Sequence, residues 1–196
     1  MSTVRYPKSL TGTFMAIEAN KDRLLRTARA LDAAGIPYAI IGGMAVQTWV
    51  STIDPDAIRF TKDVDMLMRR EDLPRAQQAL GAAGFAFQEV MDVGMFVDAN
   101  DPSPKRAVHL IWAGEKVRSQ DLCPAPPVEH RRTVPEGYQV IELIDLVKMK
   151  LTAYRRHDQV HLTDMISVGL VDRDTLAQLA PELAARLEPL LVELGR

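Results

Sequence analysis

A single cysteine, Cys123, stands in a chain of 196 residues, which excludes an internal disulfide and any zinc cluster built on several thiolates. Nine methionines accompany it and fit a reducing interior. No apolar run approaches the roughly 18 residues that a membrane-spanning helix needs; the longest runs from Tyr38 to Val46. The stretch from Met1 to Phe14 lacks the apolar block of a secretory leader, so a cytoplasmic location without a membrane partner is expected. Charge of one sign is not in excess: 24 Lys+Arg face 26 Asp+Glu, a net −2. Broad electrostatic binding to nucleic acid is thereby disfavoured, leaving room for a local basic face. There is no Gly-Lys-Ser/Thr phosphate loop and no His-Glu-x-x-His zinc helix. With 47% apolar and 26% charged residues, the composition is that of an ordinary folded domain rather than a disordered chain.

Apolar spacing predicts an amphipathic helix over Asn20–Ala34, stopped by Gly35 and Pro37. Tyr38-Ala39-Ile40-Ile41 then reads as a buried strand running through Gly42-Gly43 into a helix over Met44–Val50. A second strand is expected over Asp63–Met68 and a helix over Asp72–Ala83, with Asp72 as its N-cap and Gly84 as its stop. Phe85–Val90, Gly94–Val97 and Ala107–Trp112 have strand character. Cys123–Pro127, with three prolines, reads as a loop, and beyond Tyr138–Ile141 the pattern is wholly helical, with Pro181 and Pro189 interrupting the last stretch. The expected fold is α+β, a mixed sheet with flanking helices over residues 1–141, followed by a helical region over 142–196 packed on that core.

The chemistry concentrates in Ile41-Gly42-Gly43-Met44 and Arg59-Phe60-Thr61-Lys62-Asp63-Val64-Asp65. Alternation along a strand places the Asp63 and Asp65 carboxylates on one face while Val64 turns into the core. Two such carboxylates repel each other, and a cation relieves the repulsion; paired carboxylates plus substrate phosphates are a common way to hold Mg²⁺. Gly-Gly opening a helix offers backbone N–H groups where a Cβ would obstruct a phosphate. Either feature alone is common in loops and surface strands. Together they describe a site for a metal-bound nucleoside triphosphate. A phosphatase of the haloacid dehalogenase type fits less well, because polar residues rather than an apolar strand precede Asp63.

This arrangement resembles the nucleotidyltransferase superfamily with the DNA polymerase β-like fold, and most closely its AbiEii-like bacterial branch, which includes toxins of toxin–antitoxin systems. The branch's Gly-Gly and Arg-x-Thr-x-Asp-hydrophobic-Asp pattern is matched by Gly42, Gly43, Arg59, Thr61, Asp63 and Asp65. Its later helical motif is matched by Lys150-Leu151-Thr152-Ala153, by Arg155 or Arg156, and by Asp164-Met165. The resemblance spans residues 36–168. It implies transfer of a nucleoside monophosphate from an NTP to an acceptor hydroxyl, with Mg²⁺ or Mn²⁺ held by Asp63 and Asp65. Gly42, Gly43, Arg59, Thr61, Lys150 and Asp164 are implied to contact the nucleotide, with Lys150 against the triphosphate. A tRNA end, a protein hydroxyl and a small molecule all remain open as acceptors, and a cognate antitoxin or a second copy of the chain as partner.

The pattern departs from the family at the later strand Val108–Ile111, where His109 takes the position of an expected third carboxylate. Imidazole is a poor ligand for hard Mg²⁺. Either another carboxylate serves, with Asp98 and Glu115 as candidates, or the chain is a non-catalytic nucleotide-binding or interaction module that kept the scaffold. His157 and His161, at helical i, i+4 spacing beside Asp158, read as a polar helix–helix junction rather than a zinc site. Arg131-Arg132 read as solvated.

Overall fold

The computed structural model describes residues 10–61 and 63–196. Residues 1–9, on which the reading of a missing leader partly rests, lie outside the described residues. The first helix, α1 (Leu10–Ala33), starts ten residues earlier than apolar spacing predicts. Its early turns are mostly solvent-exposed, so they carry no apolar stripe to announce them. Gly35, with φ +61°, turns the chain, and β1 (Tyr38–Ile41) follows with all four residues buried. A strand covered on both faces needs a continuous apolar run rather than an alternating one.

β1 passes without a loop into α2 (Gly42–Ser51), and the polar segment beyond it leads to β2 (Val64–Met68). Asp63 stands just before that strand rather than in it. A short 3-10 turn over Arg70–Asp72 precedes α3 (Leu73–Ala82), and Asp72 makes no side-chain cap. β3 (Phe85–Val90) and β4 (Val93–Asp98) form a hairpin closed by Met91 and Asp92, both at positive φ as a tight two-residue hairpin turn requires. β5 (Val108–Trp112) runs parallel to β2. β6 (Arg131–Thr133) was not expected; its residues are Arg, Arg and Thr, and it pairs only with β7 (Gln139–Ile141) at the sheet's edge. Arg132 there is not free in solvent: it pairs with Glu142 and lies over the Trp49 ring, 4.6 Å from its centroid.

The seven strands form one mixed sheet in the order β3-β4-β5-β2-β1-β7-β6. Four helices follow: α4 (Leu143–Ala153), α5 (Arg156–Ser167), α6 (Arg173–Leu176) and α7 (Pro181–Glu193). Pro181 occupies the opening turn of α7, where its missing N–H costs nothing. Pro189 sits inside α7 without ending it. Leu146, Leu151, Leu162, Met165, Leu183 and Leu187 belong to the same buried cluster as the sheet residues Ile40, Met66 and Leu110. The helical region and the sheet therefore share one core, and its packing fixes α4 and α5 beside the ends of β1 and β2. No helix of the described residues is long and apolar enough to cross a membrane.

Candidate active site

Antiparallel pairing of β1 and β2 puts Ile41 opposite Asp65, so the Gly42 turn lies directly over the Asp65 side chain. Gly42 has φ +68°, and a Cβ built there would stand 2.0 Å from Asp65 Oδ2. Glycine is thus required twice at this position, by conformation and by space. At Gly43 a Cβ would meet Thr61 Oγ1 at 3.1 Å and the His161 ring at 3.6 Å, a tighter fit than usual but not a collision. Gly42 therefore carries the stricter constraint of the two.

These residues line a cavity of about 430 Å³. Gly42, Gly43, Thr61, Asp63 and Asp65 form its strand side, and Lys150, Arg155, Asp158, His157 and His161 form its helix side. Asp65 and Asp63 thus share one cavity, with Lys150 of α4 and Arg155, just before α5, across it. Burial pushes the Asp65 carboxyl above the usual carboxylate range, with Asp63 adding like-charge repulsion while His109 and Lys150 pull the other way. A cation at this place would offset that cost.

Lys150 Nζ lies 3.1 Å from Asp158 Oδ1, with both side chains buried. Arg155 Nε donates to the other oxygen of Asp158 at 2.8 Å. Burial raises the Asp158 pKa, but the hydrogen bonds and charges of Arg155 and Lys150 outweigh it, and the carboxyl ends below its usual range. Lys148, two residues from Lys150, is on the outer side, 39% exposed and 3.7 Å from Asp145. His161 Nδ1 is buried without a hydrogen-bond partner. Burial, reinforced by Lys150, lowers the His161 pKa to about 4, so the ring is neutral at ordinary pH.

Arg59 and Asp164, which stand 105 positions apart, meet outside this wall: Arg59 Nε donates to both Asp164 oxygens, at 3.0 and 2.7 Å. Neither lines the cavity. They join the segment before β2 to α5, and Asn20 Nδ2 ties the same segment to α1 by donating to the Thr61 carbonyl at 3.0 Å.

His109 is opposite Asp65 on β5, with Nδ1 3.7 Å from Asp65 Oδ1. The carboxylates expected as substitutes are elsewhere. Asp98 is buried on β4 and ion-paired with Arg26; Glu115 is held by Arg70 at 2.8 and 2.7 Å. Neither lines the cavity. Among the described residues, no three Asp, Glu, His or Cys side chains are gathered closely enough to form a ready-made metal cage. The donor set of two carboxylates at this cavity still fits an ion that completes its shell with substrate oxygens and water.

Spacing alone did not show what His157 and His161 would face. Their rings meet edge-on at 6.1 Å and both line the cavity. Their i, i+4 spacing showed a common face but not what it faces. The loop over residues 117–125 also reaches the cavity, through Val117, Arg118, Asp121, Cys123, Pro124 and Ala125; its composition carries no signal of that.

No protein-family model matches the sequence, and no curated protein matches it significantly. Solved structures do match. An antigenic nucleotidyltransferase-like protein from Paracoccidioides brasiliensis superposes with a TM-score of 0.61 at 17% identity, over 90% of this chain and 88% of that one. JHP933 from Helicobacter pylori gives 0.52 at 10% identity, over 91% and 93%. An H. pylori protein described as a candidate nucleotidyltransferase gives 0.51 at 10% identity, over 91% and 96%. At such identities the likeness is one of fold. The chain has the nucleotidyltransferase fold.

Proposed function

We propose that the protein is a nucleotidyltransferase, moving a nucleoside monophosphate from an NTP to an acceptor hydroxyl. The observation that carries this reading is the seating of the Asp65 carboxylate in the space a Gly42 Cβ would take, at the strand end of a cavity whose opposite wall presents Lys150 and Arg155. A triphosphate needs cationic side chains and open backbone N–H groups, and this cavity brings both together. Asp63 and Asp65 would hold the divalent ion, which when bound supplies charge neutralisation to the triphosphate. Lys150, already oriented by Asp158, and Arg155 take up phosphate oxygens. The acceptor oxygen forms its bond to the α-phosphorus as the bond to pyrophosphate breaks, and the hydroxyl proton is released.

The Arg59–Asp164 ion pair supports the AbiEii-like assignment, because it links the two motifs on which that resemblance stands, the one before β2 and the one on α5. A toxin–antitoxin role, with a cognate antitoxin or a second copy as partner, rests on that assignment alone. The loop over residues 117–125 lines the cavity that an acceptor would enter, and tRNA, protein and small-molecule hydroxyls all fit this chemistry.

A second reading is a nucleotide-binding module without catalysis. His109 in place of a third carboxylate and the saturation of Lys150 by Asp158 favour it. Pyrophosphate release separates the two. The parent protein is incubated with each NTP, Mg²⁺ or Mn²⁺, and pools of tRNA, protein or small-molecule acceptors. Release that disappears in Asp65→Asn supports the transferase; NTP binding without release in any pool supports the module.

A further inference from the structure

Asp63 and Asp65 are held in place by different means. Asp65 lies in the β2 ladder, opposite Ile41 on one side and His109 on the other. Asp63 stands ahead of the strand, outside that ladder. Its backbone N–H instead reaches the Thr61 hydroxyl at 3.4 Å, and the same hydroxyl lies beside Gly43. The place of Asp63 therefore depends on Thr61, and Thr61 is gripped from α1: Asn20 Nδ2 donates to its carbonyl oxygen at 3.0 Å, across 41 positions of sequence. Asn20 is 3% exposed, and its orientation is dictated one turn further along the helix. Arg23, 2% exposed, donates through one Nη to Asn20 Oδ1 at 3.2 Å and through the other to Asp101 Oδ2 at 3.3 Å, while its Nε is buried without a partner. A guanidinium can only donate, so the amide turns its oxygen to Arg23 and its NH2 group to Thr61. Asp101 is fixed in turn to the end of β4, its N–H donating to the Asp98 carbonyl at 3.0 Å.

A charge buried this deeply is costly even when paired, and apolar side chains of similar volume would anchor α1 at least as well. The unpartnered Nε adds to the cost. Stability alone thus does not account for the network; the direction in which it points Asn20 does. We infer that Asn20, with its amide oriented by Arg23, is a positioning residue for Asp63: it holds the Thr61 carbonyl and thereby fixes the carboxylate that the sheet does not hold. Groups that orient a ligand-bearing residue from behind act in this way without touching the ligand. None of the described residues of α1 lines the cavity. The inference rests on the nucleotidyltransferase reading for what Asp63 does, and adds that α1 sets where it stands.

Two replacements at Asn20 separate this role from a merely structural one. Asn20→Ala removes both contacts and should lower stability. Asn20→Asp keeps an oxygen for Arg23, now as an ion pair, but sets an acceptor against the Thr61 carbonyl. Three quantities are measured: the urea midpoint, the NMR relaxation of the Asp63 amide without any ion, and the calorimetric affinity for a non-hydrolysable NTP with and without Mn²⁺. The parent, both Asn20 variants, Asp63→Asn and the Asn20→Asp, Asp63→Asn double variant are compared at matched folded concentration. Asn20→Asp is expected to unfold close to the parent's midpoint, while its Asp63 amide becomes more mobile. Its gain in NTP affinity from Mn²⁺ should shrink about three- to tenfold, the contribution of one hydrogen bond. In the Asp63→Asn background the same replacement should change that gain little, since the carboxylate it positions is gone. Parent-like relaxation at Asp63, or equal losses from Asn20→Asp with and without the Asp63 carboxylate, overturns the inference and leaves the transferase reading standing. If Asp63→Asn alone binds ion and nucleotide like the parent, it is the transferase reading that fails, and the Asp63 relaxation still decides whether Asn20 holds the segment.

Discussion

Lys150 and Asp158 face each other at 3.1 Å in the cavity wall, with the lysine 7% and the aspartate 1% exposed. A buried pair in this position stabilises the junction of α4 and α5 and aims the ammonium group toward the cavity. Removing one member strands the other charge. Lys150→Ala is therefore expected to destabilise the protein by toward the lower end of roughly 3–5 kcal/mol, since Arg155 still serves Asp158. Lys148→Ala, on the exposed side of the same helix, should cost no more than about 0.5 kcal/mol. Urea unfolding of both variants checks this, and calorimetry with a non-hydrolysable NTP should show weaker binding only for Lys150→Ala. Equal losses of NTP affinity would mean that Lys150 has no special part in holding the nucleotide.

The two glycines of the turn separate in the same way. Gly42→Ala forces an L-residue into a left-handed conformation, at about 1–2 kcal/mol, and pushes Asp65 aside. Gly43→Ala asks only that Thr61 give by a few tenths of an ångström. Ion-dependent NTP binding should thus fall sharply in Gly42→Ala and much less in Gly43→Ala, when affinities are compared at matched folded fraction. Parent-like affinity in Gly42→Ala would remove Asp65 from the nucleotide site.

Much of this arrangement was legible in the sequence because it is local. The strand–Gly-Gly–helix passage and Asp63-Val64-Asp65 carry their geometry in their own spacing, and β1, β2 and β5 fall where apolar runs predict them. What was hidden depends on contacts between distant segments. The Lys150–Asp158–Arg155 wall needs two helices to fold back on each other, and the partners of Asp98 and Glu115 are 72 and 45 positions away. Nothing in Arg131-Arg132-Thr133 announces a strand, because β6 is made by its pairing with β7 and by the Trp49 ring beneath Arg132. The early turns of α1 escaped for the opposite reason, having no buried face to write a period into the sequence.

Acid should weaken the fold through His161. In the unfolded chain this imidazole takes a proton near pH 6.5, whereas the folded protein resists until about pH 4. Between those values the unfolded state holds more protons, so stability falls as pH drops through the window. Urea midpoints measured from pH 7 to pH 4 should decline more steeply in the parent than in His161→Gln. Parallel declines would mean that the ring is not held neutral by Lys150 and its burial.

Binding of the nucleotide at Asp65 is the claim on which the account turns, and calorimetry with a non-hydrolysable NTP tests it most directly. The parent and Asp65→Asn are titrated with Mn²⁺, with Mg²⁺ and with neither, at matched folded concentration. The account predicts that a divalent ion tightens binding to the parent and that Asp65→Asn loses this gain, about tenfold or more, while matching the parent when no ion is present. Ion-dependent binding of equal strength in both proteins would place the nucleotide elsewhere and contradict the account.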